Sequence, residues 1–253
     1  MLEAVGIMKE YRRREGRMRW KVIRVLDNLN LLFREGCVTS VIGPSGCGKS
    51  TLVNVLAGYE MADSGYVLYR GRRLDFRREK ETLRRHIRIV FQNPYSSLNP
   101  FRTAGWHLDY TASALGLGHT EVKSTMELAG IQEERYRERM VDSLSGGERQ
   151  RLAFAIALLA PADVLILDEP FSMLDSAGAL GMLDLLKRLS TGRTIIYIDQ
   201  NIARAAYVSA FTYLMEGGRV VMEGWREQLF SGERGKLAWQ VIGRPVELGE
   251  RIA

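Results

Sequence analysis

The sequence predicts an α/β fold: a mostly parallel sheet with an antiparallel β subdomain near the N-terminus and a helical subdomain inserted mid-chain. Three observations lead there. Short apolar runs such as Val38–Ile42, Val164–Leu167 and Ile195–Ile198 alternate with helical spacing, the pattern of a doubly wound sheet. Residues 1–36 read instead as successive strands. From Gln92 to about Ser143 strand signals vanish and amphipathic spacing takes over.

Taken in order, apolar positions in Leu2–Ile7 and Val22–Phe33 predict two strands, with polar Arg12–Arg19 as the hairpin loop between them. Val38–Ile42 is a short strand running into glycines, and Thr51–Leu56 has helical spacing that ends at Gly58. Tyr66–Tyr69 before Gly71 predicts an edge strand, and Ile87–Phe91 a buried one. Thr103–Leu117 and Thr120–Ala129 are amphipathic helices of the insertion. Leu152–Leu159 and Ala177–Leu189 predict helices around the strand Val164–Leu167, and Ile195–Ile198 with Thr212–Met215 completes the parallel sheet. The expected organisation is one domain over 1–253. Its α/β core spans 1–91 and 152–230, its helical subdomain 92–151 and its tail 231–253.

Composition narrows the class. The 253 residues are 46% hydrophobic and 26% charged, an ordinary globular balance. The apolar runs fall far short of the ~20 residues a membrane helix needs. No apolar stretch follows a basic start, so no signal peptide is expected and the chain is placed in the cytosol. Cys37 and Cys47 are too few for a metal site, and no disulfide is expected in a reducing compartment. The net charge of +6 gathers at Arg12–Arg19 and Arg70–Arg88. Neither cluster has the aromatic interleaving of single-strand binders, which favours a solvated or membrane-proximal face over nucleic-acid binding.

The chemistry is concentrated in two motifs. Gly43-Pro44-Ser45-Gly46-Cys47-Gly48-Lys49-Ser50 matches the phosphate-loop pattern between a strand and a helix that begins near Thr51. Its glycines let backbone N–H groups turn toward phosphate oxygens, and the helix N-terminus adds partial positive charge. Lys49 is placed to reach the β- and γ-phosphates and Ser50 to ligate magnesium. Cys47 reads as a small residue fitting the loop, although a helix N-terminus also favours thiolate. In Val164-Leu165-Ile166-Leu167-Asp168-Glu169 a buried strand carries Asp168 to its tip, where it can hold Mg²⁺, and Glu169 is placed to polarise a water as general base.

Leu144-Ser145-Gly146-Gly147-Glu148, followed by Arg149-Gln150-Arg151, resembles the signature motif of ATP-binding-cassette (ABC) proteins, whose usual fifth residue is Gln. A serine and two glycines opening a helix offer a hydroxyl and N–H groups to phosphate oxygens. The resemblance runs from Tyr11 to about Gly224 and implies a P-loop NTPase core acting on MgATP. It implies that Tyr11 stacks on adenine, though a lone strand tyrosine also serves packing. It makes Gln92 a Mg²⁺ or water contact that senses the transporter subunit, and Asp175 in Ser172-Met173-Leu174-Asp175 a link across the dimer. Gly218 and Gly224 flank the family's terminal strand.

The resemblance further implies head-to-tail pairing, with each ATP held between one chain's phosphate loop and the other's signature. Integral membrane permease subunits would dock near Gln92, on the inner face of the membrane. One position departs from the pattern. Gln200 stands where the family has a histidine, and His86, His107 and His119 all precede the signature. An amide donates a hydrogen bond but carries no charge, so slow hydrolysis and a paralogous partner are expected. Phe91–Pro100 resembles the same region in the peptide/nickel importer group, whereas the short, cysteine-free end after Trp239 does not. The same motifs would also suit a non-transport cassette in a soluble complex. A chromosome-type ATPase would need a long heptad insertion, and a GTPase an Asn-Lys-x-Asp motif; the sequence has neither.

Overall fold

The computed structural model of the chain describes residues 1–15, 19–79, 83 and 85–242. Two sheets organise them. In the first, β1 (Leu2–Glu15) pairs antiparallel with β2 (Arg19–Phe33) and with β4 (Ser64–Tyr69), which pairs with β5 (Arg72–Arg73). The second runs in the order β10 (Arg219–Trp225), β9 (Phe211–Glu216), β3 (Cys37–Ile42), β8 (Thr194–Asp199), β7 (Val164–Asp168) and β6 (Ile87–Val90). All its pairs are parallel except β9–β10.

Burial explains this arrangement. Every residue of β7 and β8 is buried, as in a sheet covered on both faces. One core cluster joins Val41, Leu52 and Leu56 to Ile166 and Ile196, packing the phosphate-loop helix against the sheet and the β subdomain. A second cluster joins Leu108, Met126 and Phe154 to Leu165 and Tyr197, so the helical segment packs through Gly146–Leu159 onto the other face. The carboxyl ends of β3, β6, β7 and β8 therefore open at one rim, where ligands of such sheets sit.

Two details differ from the sequence reading and two refine it. Arg12–Glu15 are not loop: they continue β1 and pair with Arg19–Val22, and only 16–18 of the expected loop lie outside the described residues. A two-stranded ribbon exposed on both faces has no buried side to impose polar–apolar alternation, so charge was misread as loop. The signature helix runs unbroken over Gly146–Leu159 and so joins the helical segment to the core. β10, the terminal strand expected between Gly218 and Gly224, folds back antiparallel through Gly217 and Gly218, both at positive φ. Within the expected tail, the helix Gly232–Ile242 packs Ala238 against Ile42, Ile202 and Leu214; residues 243–253 lie outside the described residues.

Candidate functional site

β3 delivers the chain to a loop that only glycine fits at its start. A Cβ on Gly43 would lie 2.2 Å from the Met215 carbonyl oxygen. Gly48 caps the helix Lys49–Leu56 at φ 107°, and a Cβ there would meet the Val25 carbonyl at 2.7 Å. Pro44 is half-buried and Ser45 and Gly46 are exposed, forming the lip of the loop. Lys49 is only 5% exposed; its Nζ donates to the carbonyls of Gly43 (2.8 Å) and Pro44 (2.9 Å), crossing the concave side of the loop. Cys47 is buried, and that burial pushes its thiol up despite the nearby Lys49 charge. It packs in the core cluster with Val41 and Leu52, in keeping with the reading of a small residue that fits the loop.

At the end of β7 lies a charge without full compensation. Asp168 is 6% exposed, and its Oδ1 has no hydrogen-bond partner among the described residues. Burial pushes its carboxyl up, opposed by a hydrogen bond from Ser50 and the Lys49 charge, while Glu169 and Asp199 push it further up. A buried, orphaned carboxylate oxygen beside a hydroxyl fits a divalent cation. No cluster of three His, Cys, Asp or Glu occurs among the described residues. Asp168 and the Ser50 hydroxyl would suit a magnesium ion that takes most of its oxygens from water and phosphate, whereas Gln92 is bonded to Glu169.

Glu169 follows in a strained conformation, φ 44° for a non-glycine residue, fixed by its N–H donating to the Ile198 carbonyl (2.8 Å). Its carboxylate is gripped from both sides. Gln92 Nε2 donates to Oε2 at 2.8 Å, and Gln200 Nε2 donates to Oε1 at 2.7 Å. Gln200 is itself held by its backbone, since Asp199 Oδ1 accepts N–H bonds from Gln200 (2.7 Å) and Asn201 (2.9 Å). The buried Tyr197 hydroxyl and Arg204 meet the other Asp199 oxygen. The three histidines are engaged with Asp163, Asn99 and Glu133, so none replaces Gln200.

The signature residues are arranged differently. Ser145 caps the helix Gly146–Leu159: its Oγ accepts from the Glu148 N–H (3.3 Å), and Glu148 Oε2 accepts from the Ser145 N–H (2.8 Å). Glu148 Oε1 accepts from the Tyr136 hydroxyl and Arg139. Burial alone raises the Glu148 carboxyl, but the Ser145 N–H, Tyr136 and Arg139 hold it below the ordinary range. Arg149 Nε returns to the Leu144 carbonyl. Within the chain this motif meets the Ser172–Asp175 loop: Gly146 lies against Met173, Gly147 against Leu174, and Gln150 bonds Ser172 and the Met173 N–H. Asp175 caps the helix Ser176–Leu189 through the Gly178 N–H (2.8 Å).

The fold thus unites Ser50 with Asp168, and Gln92 with Glu169 and Gln200, and it sets the signature beside Asp175. Tyr11 stands at the base of the β1–β2 ribbon, its hydroxyl donating to Glu60 (2.6 Å) and engaging the Thr51 side chain. The sequence reading missed Asp199, Gln150 and Glu60, all supports of named residues; only Gln150, directly after the signature, had a local cue. It also missed a groove of about 500 Å³ between Tyr59, Ile87 and Phe91 of the core and Leu98, Thr111 and Ala153 of the helical segment. Arg88 lines it, and its Nε is buried without a partner among the described residues.

Known proteins agree with this geometry. Residues 26–172 match the family model described as ABC transporter. The chain is 34% identical over 241 residues to the dipeptide transport ATP-binding protein DppF of Haemophilus influenzae, covering 91% of this chain and 73% of that protein. It is 33% identical over 210 residues to the Fe(3+) ions import ATP-binding protein FbpC of Escherichia coli O157:H7, covering 81% and 59%. It also superposes on the dimeric structure of a post-hydrolysis state of an ATP-binding cassette bound to ADP and Pi, with a TM-score of 0.78, 26% identity and coverage of 89% and 99%. No described helix is long and apolar enough to cross a membrane. With the phosphate loop, the acidic strand end and the signature in one P-loop ATPase fold, the chain belongs to the ABC transporter family as an ATP-binding subunit.

Proposed function

We propose that the chain hydrolyses MgATP slowly as one half of a cassette dimer that energises an importer. The observation that carries this reading is the grip of two neutral amides on Glu169, beside Asp168 with its unpartnered Oδ1. Lys49 and the loop Gly43–Ser50, with Thr51 behind it, bind the phosphates, and Tyr11 carries the base. Ser50, Gln92 and Asp168 hold magnesium, which when bound neutralises phosphate charge. Glu169 takes the proton of the attacking water. The signature Leu144–Glu148 would face the partner's ATP, with its glycines backed within the chain by Met173 and Leu174. Asp175, at the start of the next helix, carries contact across the dimer. The superposed cassette is a dimer, which supports this pairing.

The relatives named for dipeptide and Fe(3+) transport support an importer. Their different cargoes are consistent with substrate choice residing in other subunits. A permease subunit would dock in the groove beside Phe91, where Arg88 awaits an acceptor. That contact holds the chain on the inner face of the membrane.

Gln200 decides the rate. Its amide orients Glu169 but cannot add the positive charge of a protonated imidazole, and a charge-assisted bond is roughly twice as strong as a neutral one. A second, paralogous cassette would supply the faster site. Steady-state ATP turnover should rise in Gln200→His with ATP affinity unchanged. Brisk wild-type hydrolysis that the substitution does not increase would sink the slow-site reading.

A further inference from the structure

The net charge is not spread over the molecule. Between Glu10 and Arg24 the sequence holds seven Arg and Lys against two Glu, a local net of +5, with Arg12 and Arg14 on one face and Arg13 and Lys21 on the other. This segment is the β1–β2 ribbon. β1 pairs with β4 only as far as Met8, so further out Arg12–Glu15 pair with Arg19–Val22 alone. An isolated two-stranded ribbon is marginal in water unless one face is covered.

Register assigns the faces. Residues directly opposite share a side of the ribbon. Tyr11 is paired with Ile23 on the side that meets Glu60 and Thr51. Arg12 paired with Val22, and Arg14 with Trp20, occupy the other side. There Trp20 is 65% exposed and Val22 53%. A tryptophan and a valine among guanidinium groups, on a surface turned away from the nucleotide loop, combine two chemistries. The apolar bodies favour the boundary of a bilayer, and the cations favour its anionic headgroups.

We propose that this outer face, Arg12, Val22, Arg14 and Trp20, binds anionic phospholipid at the membrane surface. A phosphate-rich nucleic acid would satisfy the charge equally well. It would leave Val22 without a role, and single-strand platforms use successive aromatic rings where this face has one. The proposal rests on the reading that the subunit works against a membrane, yet it is tested on the chain alone. A failure here therefore leaves the transport reading standing.

The test is cosedimentation of the full chain with vesicles of phosphatidylcholine, or of phosphatidylcholine and phosphatidylglycerol at about 3:1, in about 0.15 M salt. Binding is expected to the anionic vesicles only, and it should be lost at about 0.5 M salt as screening grows. Arg12→Glu, which changes the face by two charges, should weaken partitioning by about tenfold or more. Trp20→Phe should remove a blue shift of tryptophan emission on vesicle addition while the chain still binds ATP. Absence of binding to anionic vesicles at the lower salt overturns the proposal. So does equal binding by Arg12→Glu, or tight capture of an oligothymidine strand without vesicle binding.

Discussion

The two ends of the nucleotide chemistry are built on opposite principles. At the phosphate-loop end, Asp168 keeps a buried oxygen unpaired, Glu169 sits at positive φ, and Lys49 bends back onto its own loop carbonyls. At the signature end Ser145 and Glu148 satisfy each other, Tyr136 and Arg139 close the remaining acceptor, and Gln150 ties the helix to the Ser172–Asp175 loop. Unpaired buried polar groups cost free energy, so the first end is completed by what it binds. A satisfied helix start needs no ligand to hold it, which fits the proposal that the second end serves a nucleotide carried by another chain. One end stores the demand for a ligand; the other stores the geometry.

Substitutions can break this contrast, and the largest effect belongs to the strained end. Glu169→Gln keeps the side-chain shape but removes the base, so turnover should fall by about 10²–10⁴ while ATP still binds, seen by single-turnover hydrolysis and titration calorimetry. A loss under about tenfold would place the proton acceptor elsewhere. Ser145→Ala removes the cap at the satisfied end. Thermal unfolding should drop by roughly 2–4 °C, the equivalent of about 1 kcal/mol in a chain of this size. Binding of ATP to the isolated chain should stay the same, while ATP-induced dimerisation, read by light scattering, is lost. Weaker binding in the monomer would mean that the signature serves its own chain's nucleotide.

The smallest effect sharpens the idea of an unpaid charge. Burial raises the Asp168 carboxyl, so the folded chain binds that proton more tightly than the unfolded chain does. Between the ordinary carboxylate range and the raised value, the stability of the ligand-free protein must therefore fall as pH rises. Asp168→Asn should flatten that dependence, stabilising the ligand-free fold slightly at neutral pH and not in acid, as measured by urea unfolding across pH. A variant less stable than wild type at neutral pH would show that Asp168 is already compensated.

The comparison also shows why some residues were legible and others were not. Gly43–Ser50, Asp168–Glu169 and Leu144–Glu148 are contiguous, and each carries its own turn, strand tip or helix cap, so local sequence suffices to place them. The ribbon Arg12–Glu15 was misread because strand pairing there has no buried face to leave a periodic trace. The helix Gly232–Ile242 was missed because its packing partners, Ile42, Ile202 and Leu214, lie on distant strands and a distant helix.

The sequence by itself determined the fold class, the family motifs and the substitution of glutamine for histidine at position 200, because each is written in adjacent residues. The tertiary structure alone decided that Gln92 and Gln200, 77 and 31 residues from Glu169, close on the same carboxylate. It also decided that Asp168 keeps an orphaned oxygen and that Arg12 and Arg14 share a face with Trp20. Those facts depend on which strands lie side by side and in what register. Pairing between distant segments is set by packing of the whole chain, which no local pattern records.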